Sequence, residues 1–304
     1  VATGDRCGMI RLWERETGKL LQVFQGAPQG AVLVAFVADG SQLLVADAIG
    51  VHARWEVNSG RPVPSSRKRL AILDCGAVSA DARTWVVVTE GGVLRVWDGA
   101  GGREMKRIPL KGGRFAHVAV ACDGGWAAGL GYDGSLRLCD FKTEEEYVAD
   151  ETSLQGDLGI SPDGAWLAAR IGGEGVAIVE IATLQRALTL RLDAGAATSL
   201  AFSPDSRWIA VGDSLGRVTM WDLPDGRRLQ TWTGHRGHVT SVAFSADGTM
   251  LVSGGVDTAA LVWDAQSVGR PAGLAEAREA IRSLAHEQGT VAWSAAGTLA
   301  HAGD

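Results

Sequence analysis

The chain has 304 residues, of which 46% are hydrophobic and 21% charged, a composition that is normal for a globular protein. Its formal net charge is −6 and its longest basic run is Arg67–Arg69, which argues against a general affinity for nucleic acid because phosphate binding needs clustered cations. It contains no stretch of 18 apolar residues, so the sequence predicts no membrane-spanning helix.

A bulky residue followed by an acid recurs along the whole chain. Successive pairs lie 42 residues apart, with one interval of 40, and a fixed period of this size indicates repeated units that share their cores with their neighbours. The pairs are Trp13-Glu14, Trp55-Glu56, Trp97-Asp98, Cys139-Asp140, Val179-Glu180, Trp221-Asp222 and Trp263-Asp264. The period therefore predicts one closed ring of units rather than two ordinary domains.

Each unit is interpreted as four short strands. The clearest example alternates apolar and polar residues over 239–244, turns at Ser245–Gly248, and continues with strands at 250–253 and 260–263. The first strands of the units end near Phe36, Val78, Val120, Ile160, Phe202 and Phe244. Turn residues follow at Ala38–Gly40, Cys122–Gly124, Ser161–Gly164 and Ser203–Asp205, which favours antiparallel hairpins and an all-β fold.

A second set of tryptophans, Trp126, Trp166 and Trp208, begins the second strands. Packing between adjacent sheets is the favoured role for these side chains. An exposed aromatic ladder for ligand binding is the alternative.

The most complete unit resembles a WD40 repeat through Gly234-His235, Ser253, Asp257 and Trp263-Asp264. The resemblance extends over the whole chain and implies a β-propeller of four-stranded blades around a central channel. It also implies a hydrogen-bonded structural tetrad of His235, Ser253, Asp257 and Trp263. We interpret this set as structural rather than as a Ser/His/Asp catalytic triad, and only this unit carries it in full.

Seven blades are favoured over eight, because closing the ring removes exposed sheet edges. The predicted blades comprise residues 1–26 with 281–287, 27–69, 70–112, 113–152, 153–194, 195–235 and 236–280. In this scheme a fourth strand ends at Leu274 and Ile281–His286 completes the first blade. Residues 288–304 are surplus or belong to an eighth blade. An alternative register that matches Val291–Ser294 to Val242–Ser245 also gives seven blades.

In WD40 proteins, the connections from fourth to first strands and from second to third strands form the usual platform for a peptide or protein. On this face the resemblance places Arg6, Arg114, Tyr132, Asp133, Asp213, Arg236 and His238. A set of mixed charge with a Tyr fits protein recognition better than phosphate tracking. On the opposite face, Thr143–Glu146 is an acidic run, interpreted as a solvated loop, with contact to a basic partner as the alternative.

The sequence favours a scaffold over an enzyme. A quinoprotein-like or lactonase-like propeller is the catalytic alternative, supported by Glu16–Lys19, which resembles a feature of quinoprotein blades and is also an ordinary turn. The six histidines lack metal-ligand spacing and no phosphate-binding glycine loop is present, so we expect no metal and no cofactor. An adaptor for nucleic acid or ubiquitin is a further alternative.

The chain starts at Val1, inside a repeat, and its composition is typical of bacterial proteins. We therefore expect a monomeric ring within a larger bacterial signalling or effector protein, acting as a sensor or docking domain. The four cysteines, Cys7, Cys75, Cys122 and Cys139, show no paired spacing, which favours free thiols in a reducing, cytoplasmic compartment.

Overall fold

The computed structural model of the chain is built from β-strands arranged in four-stranded antiparallel sheets. It describes residues 2–5, 9–14, 19–25, 31–37, 40–47, 51–63, 68–69, 73–79, 83–99, 103–111, 113–149, 154–172, 175–223, 225–245, 247–257, 259–266, 278–281 and 291–292. None of these residues belongs to a helix that is long and apolar enough to cross a membrane.

The described strands form seven sheets of four strands each. In chain order they are β1 (Ala2–Asp5), β2 (Met9–Trp13) and β3 (Leu20–Gln25) of the first sheet; β4 (Ala31–Val37), β5 (Gln42–Asp47), β6 (Val51–Glu56) and β7 (Lys68–Arg69) of the second; β8 (Leu73–Val78), β9 (Thr84–Thr89), β10 (Val93–Asp98) and β11 (Glu104–Pro109) of the third; β12 (Phe115–Val120), β13 (Trp126–Gly131), β14 (Leu136–Asp140) and β15 (Glu146–Val148) of the fourth; β16 (Leu154–Ile160), β17 (Trp166–Ile171), β18 (Gly175–Glu180) and β19 (Gln185–Arg191) of the fifth; β20 (Ala197–Phe202), β21 (Trp208–Asp213), β22 (Arg217–Asp222) and β23 (Arg227–Thr233) of the sixth; β24 (Val239–Phe244), β25 (Met250–Gly255), β26 (Ala260–Asp264) and β27 (Arg278–Ile281) of the seventh; and β28 (Val291–Ala292).

Strand β28 pairs with β1 and so becomes the fourth member of the first sheet. The first strands of successive sheets lie side by side from β4 to β24, and β28 lies against both β24 and β1. The all-β prediction is confirmed, and the sheets have the form of propeller blades.

The end of the chain differs from the favoured sequence interpretation. Ile281 pairs with Ala260 at the outer edge of the seventh sheet, and the strand beside β1 is Val291–Ala292, as in the alternative register. The predicted fourth strand ending at Leu274 and residues 282–287 lie outside the described residues. An isolated short apolar pattern suits an inner and an outer strand equally well, so this choice depends on tertiary packing.

Repeated polar turns close the hairpins between first and second strands. In the fifth sheet the Ser161 hydroxyl donates to Asp163 Oδ1 at 2.5 Å and accepts a hydrogen bond from the Trp166 amide at 2.9 Å. The same arrangement recurs in the next sheet, where Ser203 donates to Asp205 and accepts from Trp208. Side chains that bind the nearby backbone in this way stabilise turns, which explains the recurring Ser-x-Asp sequence.

The apolar core lies in layers between successive sheets. Residues of the fourth and fifth sheets form one cluster, the fifth and sixth sheets form another, and the sixth and seventh form a third. Trp126, Trp166 and Trp208 each lie partly buried against one of these clusters. The prediction that the second tryptophan set packs between sheets is confirmed.

Two positions where the repeat lacks tryptophan are filled by smaller core residues. Cys139 and Val179 are both fully buried. Burial is the main cause that raises the pKa of the Cys139 thiol to about 11, so this side chain is a neutral core group.

We expect Trp85→Ala to lower the free energy of unfolding by roughly 3–5 kcal/mol, because it empties a fully buried site. Trp85 stacks on Trp97 of the adjacent strand, with ring centroids 5.0 Å apart. The control is Trp126→Ala, which should cost less since Trp126 keeps part of its surface in water. Urea unfolding of both variants measures the difference, and an equal loss would contradict the assignment.

Candidate functional site: a buried tetrad and an exposed loop face

The tetrad inferred from the sequence is assembled in the seventh sheet and the connection that leads into it. The Trp263 indole Nε1 donates to Ser253 Oγ at 2.8 Å, and Ser253 Oγ lies 2.8 Å from His235 Nε2. His235 Nδ1 in turn lies 3.0 Å from Asp257 Oδ1. Because the carboxylate can only accept, the imidazole donates from Nδ1 to Asp257. In this tautomer Nε2 accepts from the Ser253 hydroxyl, whose oxygen accepts from the indole.

This network is structural. Ser253, Trp263 and His235 are 1%, 3% and 7% exposed, and the Ser253 hydroxyl is occupied by two partners from within the protein. A substrate therefore has no access to a nucleophile here. The hydrogen bonds compensate the burial of the polar groups, which explains why a serine and a histidine are tolerated in this core.

Asp257 joins the tetrad to the loop face. Its carboxylate also accepts hydrogen bonds from the amides of Arg236, at 2.8 Å, and Ala259, at 3.2 Å. Burial opposes ionisation, but these donors together with His235 hold the pKa of Asp257 below its usual value. Gly255 leaves the necessary space, because a Cβ there would lie 2.4 Å from His235 Nδ1.

Asp213 has a related structural role in the sixth sheet. It stands 42 residues before Gly255, and its side chain is fully buried. Asp213 Oδ1 accepts from the amides of Leu215 and Arg217, and Oδ2 accepts from Arg217 Nε at 2.6 Å. Although the sequence places Asp213 among the partner-binding candidates, its carboxylate is occupied in holding the turn between β21 and β22.

Asp133 of the fourth sheet occupies the repeat position of Asp257, but it is exposed. Its carboxylate accepts from the Ser135 hydroxyl at 2.6 Å and the Ser135 amide at 3.0 Å, and these bonds lower its pKa. Arg137 adds an ion pair at 3.4 Å. Asp133 thus shapes its turn while remaining accessible.

We define the loop face as the surface formed by the connections from fourth to first strands and from second to third strands. Arg114 and Tyr132 meet on this face, with the guanidinium carbon 5.4 Å from the centre of the Tyr132 ring. Arg114 also forms an ion pair with Glu90 at 3.8 Å, and Tyr132 is 66% exposed. The pair presents an aromatic ring and a cation together.

Two other candidates occupy the same face farther along the chain. Arg236 and His238 are exposed on the connection into the seventh sheet. Arg6 lies outside the described residues. Sequence reasoning missed Leu215, which is 56% exposed at the tip of the β21–β22 turn. Its signal is an apolar residue at the repeat position that Asp133 and Asp257 occupy in other units.

The opposite surface, formed by the connections from first to second and from third to fourth strands, is here called the turn face. The acidic run there is largely engaged within the protein. Glu144 pairs with Lys106 at 3.0 Å, Glu145 accepts from the Tyr147 hydroxyl at 2.9 Å, and Glu146 accepts from the Lys111 amide at 2.7 Å. These contacts hold the outer strand of the fourth sheet against the third sheet.

Within the described ranges no group of three or more His, Cys, Asp or Glu side chains is placed to hold a metal ion. Residues 15–18, which carry most of the quinoprotein-like segment, lie outside those ranges.

The class defined by these observations is an all-β repeat protein with shared cores and a polar tetrad in one repeat. The family described as WD domain, G-beta repeat, matches residues 187–222 and 226–264. Each matched segment contains the fourth strand of one sheet and the first three strands of the next. These segments are similar to WD40 repeats, a type that generally serves as a protein-interaction scaffold and is typically non-catalytic.

The chain is also similar to curated proteins named angio-associated migratory cell protein. The matches in Homo sapiens, Pongo abelii and Canis lupus familiaris are each 27% identical over 132 residues. They cover 41% of this chain, and the chain spans about a quarter (25%) of the length of these relatives.

We expect Asp257→Ala to lower the free energy of unfolding by roughly 1–3 kcal/mol at neutral pH, because His235 and two amides lose their acceptor. The pKa of Asp257 is lowered in the folded state, so its contribution is complete above the unfolded pKa of about 4 and is lost as pH falls through the folded pKa. Urea unfolding of both proteins at pH 7 and at pH 3 measures this. A stability difference that does not shrink with acid would contradict the account.

Proposed function

We propose that the chain is a seven-bladed WD40 propeller that binds a protein or peptide through its loop face and catalyses no reaction. Seven four-stranded sheets and the pairing of β28 with β1 support the blade number. The two matched repeats support the extension of the family to the whole chain, because every sheet shares the same strand order.

The observation that carries the binding proposal is the exposed Arg114–Tyr132 pair. Tyr and Arg dominate the energetics of protein interfaces, since both bring a large contact area together with hydrogen-bonding capacity. Leu215, at 56% exposure, adds an apolar contact on another turn of the same face, and Arg236 adds a cation. The mixture of aromatic, apolar and cationic groups suits a peptide that carries apolar and acidic side chains.

The tetrad supports this role by holding the platform rigid. Asp257 accepts the Arg236 amide, so the segment that presents Arg236 is attached to the buried network. A preformed loop loses less conformational entropy on binding than a mobile loop does.

We also propose a sensor or docking role within a larger bacterial signalling protein, and the family resemblance supports this role. A cytoplasmic location is supported by Cys139, whose thiol forms no disulfide, since exported proteins commonly pair their cysteines.

We expect Arg114→Glu combined with Arg236→Glu to abolish capture of the partner, because two exposed cations on the loop face are reversed in charge. The immobilised chain is exposed to lysate of the source cells, and captured proteins are identified by mass spectrometry. A matched control carries Arg103→Glu and Lys142→Glu, two exposed cations of the turn face, so that the net charge change is identical.

The proposal requires a protein that the unmodified chain and the turn-face control retain and the loop-face variant loses. Thermal unfolding of all three proteins checks that the exposed substitutions leave the fold intact. Equal capture by the loop-face variant, or loss in the control alone, would overturn the assignment of the loop face.

A further inference from the structure

The fifth sheet differs from its neighbours where its first two strands, β16 and β17, reach the loop face. In the sixth and seventh sheets the first strand has a one-residue bulge: Thr198 or Thr240 lies opposite no residue of the second strand. In the fifth sheet Gln155 pairs with Arg170 and the next pair is Leu158 with Ala169. Gly156 and Asp157 therefore both bulge from the inner strand, and such bulges commonly redirect side chains next to functional sites.

Arg170 is unusual for its position in the repeat. The register equivalents in the other sheets include Val88, Leu130, Gly212 and Gly254, all uncharged. Among the described first and second strands, Arg170 is the only Arg or Lys. A cation in this inner layer is costly to desolvate, so its presence calls for a physical reason.

The Arg170 guanidinium lies directly over the bulge. A Cβ on Gly156 would stand 2.6 Å from Nη1 and 2.7 Å from Cζ, and Gly156 has a φ of +65°. Glycine is required at this point both by the backbone conformation and by the space that the guanidinium takes. Gln155 is exposed and opposes Arg170 in the register, so both side chains lie on the same side of the sheet.

Asp157 carries the opposite charge nearby but does not form an ion pair with Arg170. Its Oδ1 accepts from its neighbour's amide, Leu158 N, at 3.1 Å, and its Oδ2 accepts from Leu200 N of the sixth sheet at 3.0 Å. Burial raises the pKa of Asp157 to about 6, and the two amides and the charge of Arg170 act against this increase. Both carboxylate oxygens are thus committed to the backbone.

His117, on the first strand of the fourth sheet, lies within range of the charge of Arg170. Burial, followed by the charge of Arg170, lowers its pKa, so the imidazole is neutral at neutral pH and can donate one hydrogen bond. No residue in the described part of the chain accepts a hydrogen bond from the Arg170 side chain or forms an ion pair with it.

We propose that Arg170, with Gln155 beside it, forms a binding site for one oxyanion, a carboxylate or phosphate group, that enters from the loop face. A guanidinium presents a planar fork of N–H donors that matches such a group in two-point geometry. The site lies on the inner strands between the fourth, fifth and sixth sheets. It does not require the protein-binding function proposed above, because a free anion could occupy it alone.

The test is a titration of the whole ¹⁵N-labelled chain with inorganic phosphate at pH 7.5, followed by the amide signals of Gly156 and Leu200. We expect saturable shifts in the unmodified protein and binding at least about tenfold weaker in Arg170→Leu, since a charge-assisted hydrogen-bonded pair is lost. Leucine is chosen because Leu130 occupies the equivalent position of the fourth sheet. Arg170→Gln serves as a second variant of similar length.

Arg191→Leu is the matched control, since Arg191 is exposed on the outer strand of the same sheet and should bind phosphate as the unmodified protein does. A blocked tripeptide with a central phosphoserine distinguishes the source of the anion. Tighter binding of the peptide than of phosphate assigns the site to a peptide group, and equal binding assigns it to a free anion.

Absence of saturable shifts with both probes would overturn the proposal and leave Arg170 as a counter-charge for Asp157. The same conclusion follows if Arg170→Leu and Arg170→Gln bind as the unmodified protein does. Equal weakening in Arg191→Leu would show that the effect is general electrostatics rather than a site.

Discussion

The whole structure depends on one constraint: a four-stranded sheet of this size cannot bury its apolar faces by itself. Each core layer is therefore shared by two sheets, as the cluster formed by Leu130, Leu158 and Ala169 illustrates between the fourth and fifth sheets. Sharing makes stability collective, because removal of any sheet exposes two layers. It also makes closure of the ring important, since an open ring would leave two apolar faces and two sheet edges in water.

The polar network of the seventh sheet meets the same constraint by different means. Where most sheets fill their inner layers with apolar side chains, this sheet uses His235, Ser253 and Asp257, and the polar side-chain atoms of these three residues all find partners. The sixth sheet achieves a related result with Asp213 and Arg217 from a different pair of positions. Different repeats can thus use different hydrogen-bonded networks while the strand order is unchanged. This explains why the tetrad need not appear in every unit.

Much of this architecture follows from the sequence, because a strict period aligns equivalent positions. The period places Cys139 and Val179 in tryptophan positions, and both side chains are fully buried in the structure. The tetrad residues follow from the resemblance to a WD40 repeat rather than from the period. The favoured placement of the first sheet's inner strand at Ile281–His286 differs from the structure, in which Val291–Ala292 lies beside β1. The apolar patterns that begin at Ile281 and Val291 are equally short, so only tertiary packing distinguishes them. The burial of Asp213 was missed for a related reason: an acid beside a turn is exposed as often as it is engaged, and the sequence does not show where Arg217 points.

The most informative positions are those at which the repeat is broken. A local departure from the consensus costs stability, so it persists where packing or function compensates for it. The Asp213–Arg217 exchange is fully compensated by hydrogen bonds within its own turn, and it needs no external partner. Arg170 differs, because the glycine bulge accommodates its guanidinium sterically while leaving its donors without an acceptor among the described residues. A cation in an inner layer whose donors find no acceptor among the described residues points to a binding site rather than to a structural substitution. In this chain it lies where the inner strands reach the loop face, the face that carries the exposed Arg114–Tyr132 pair.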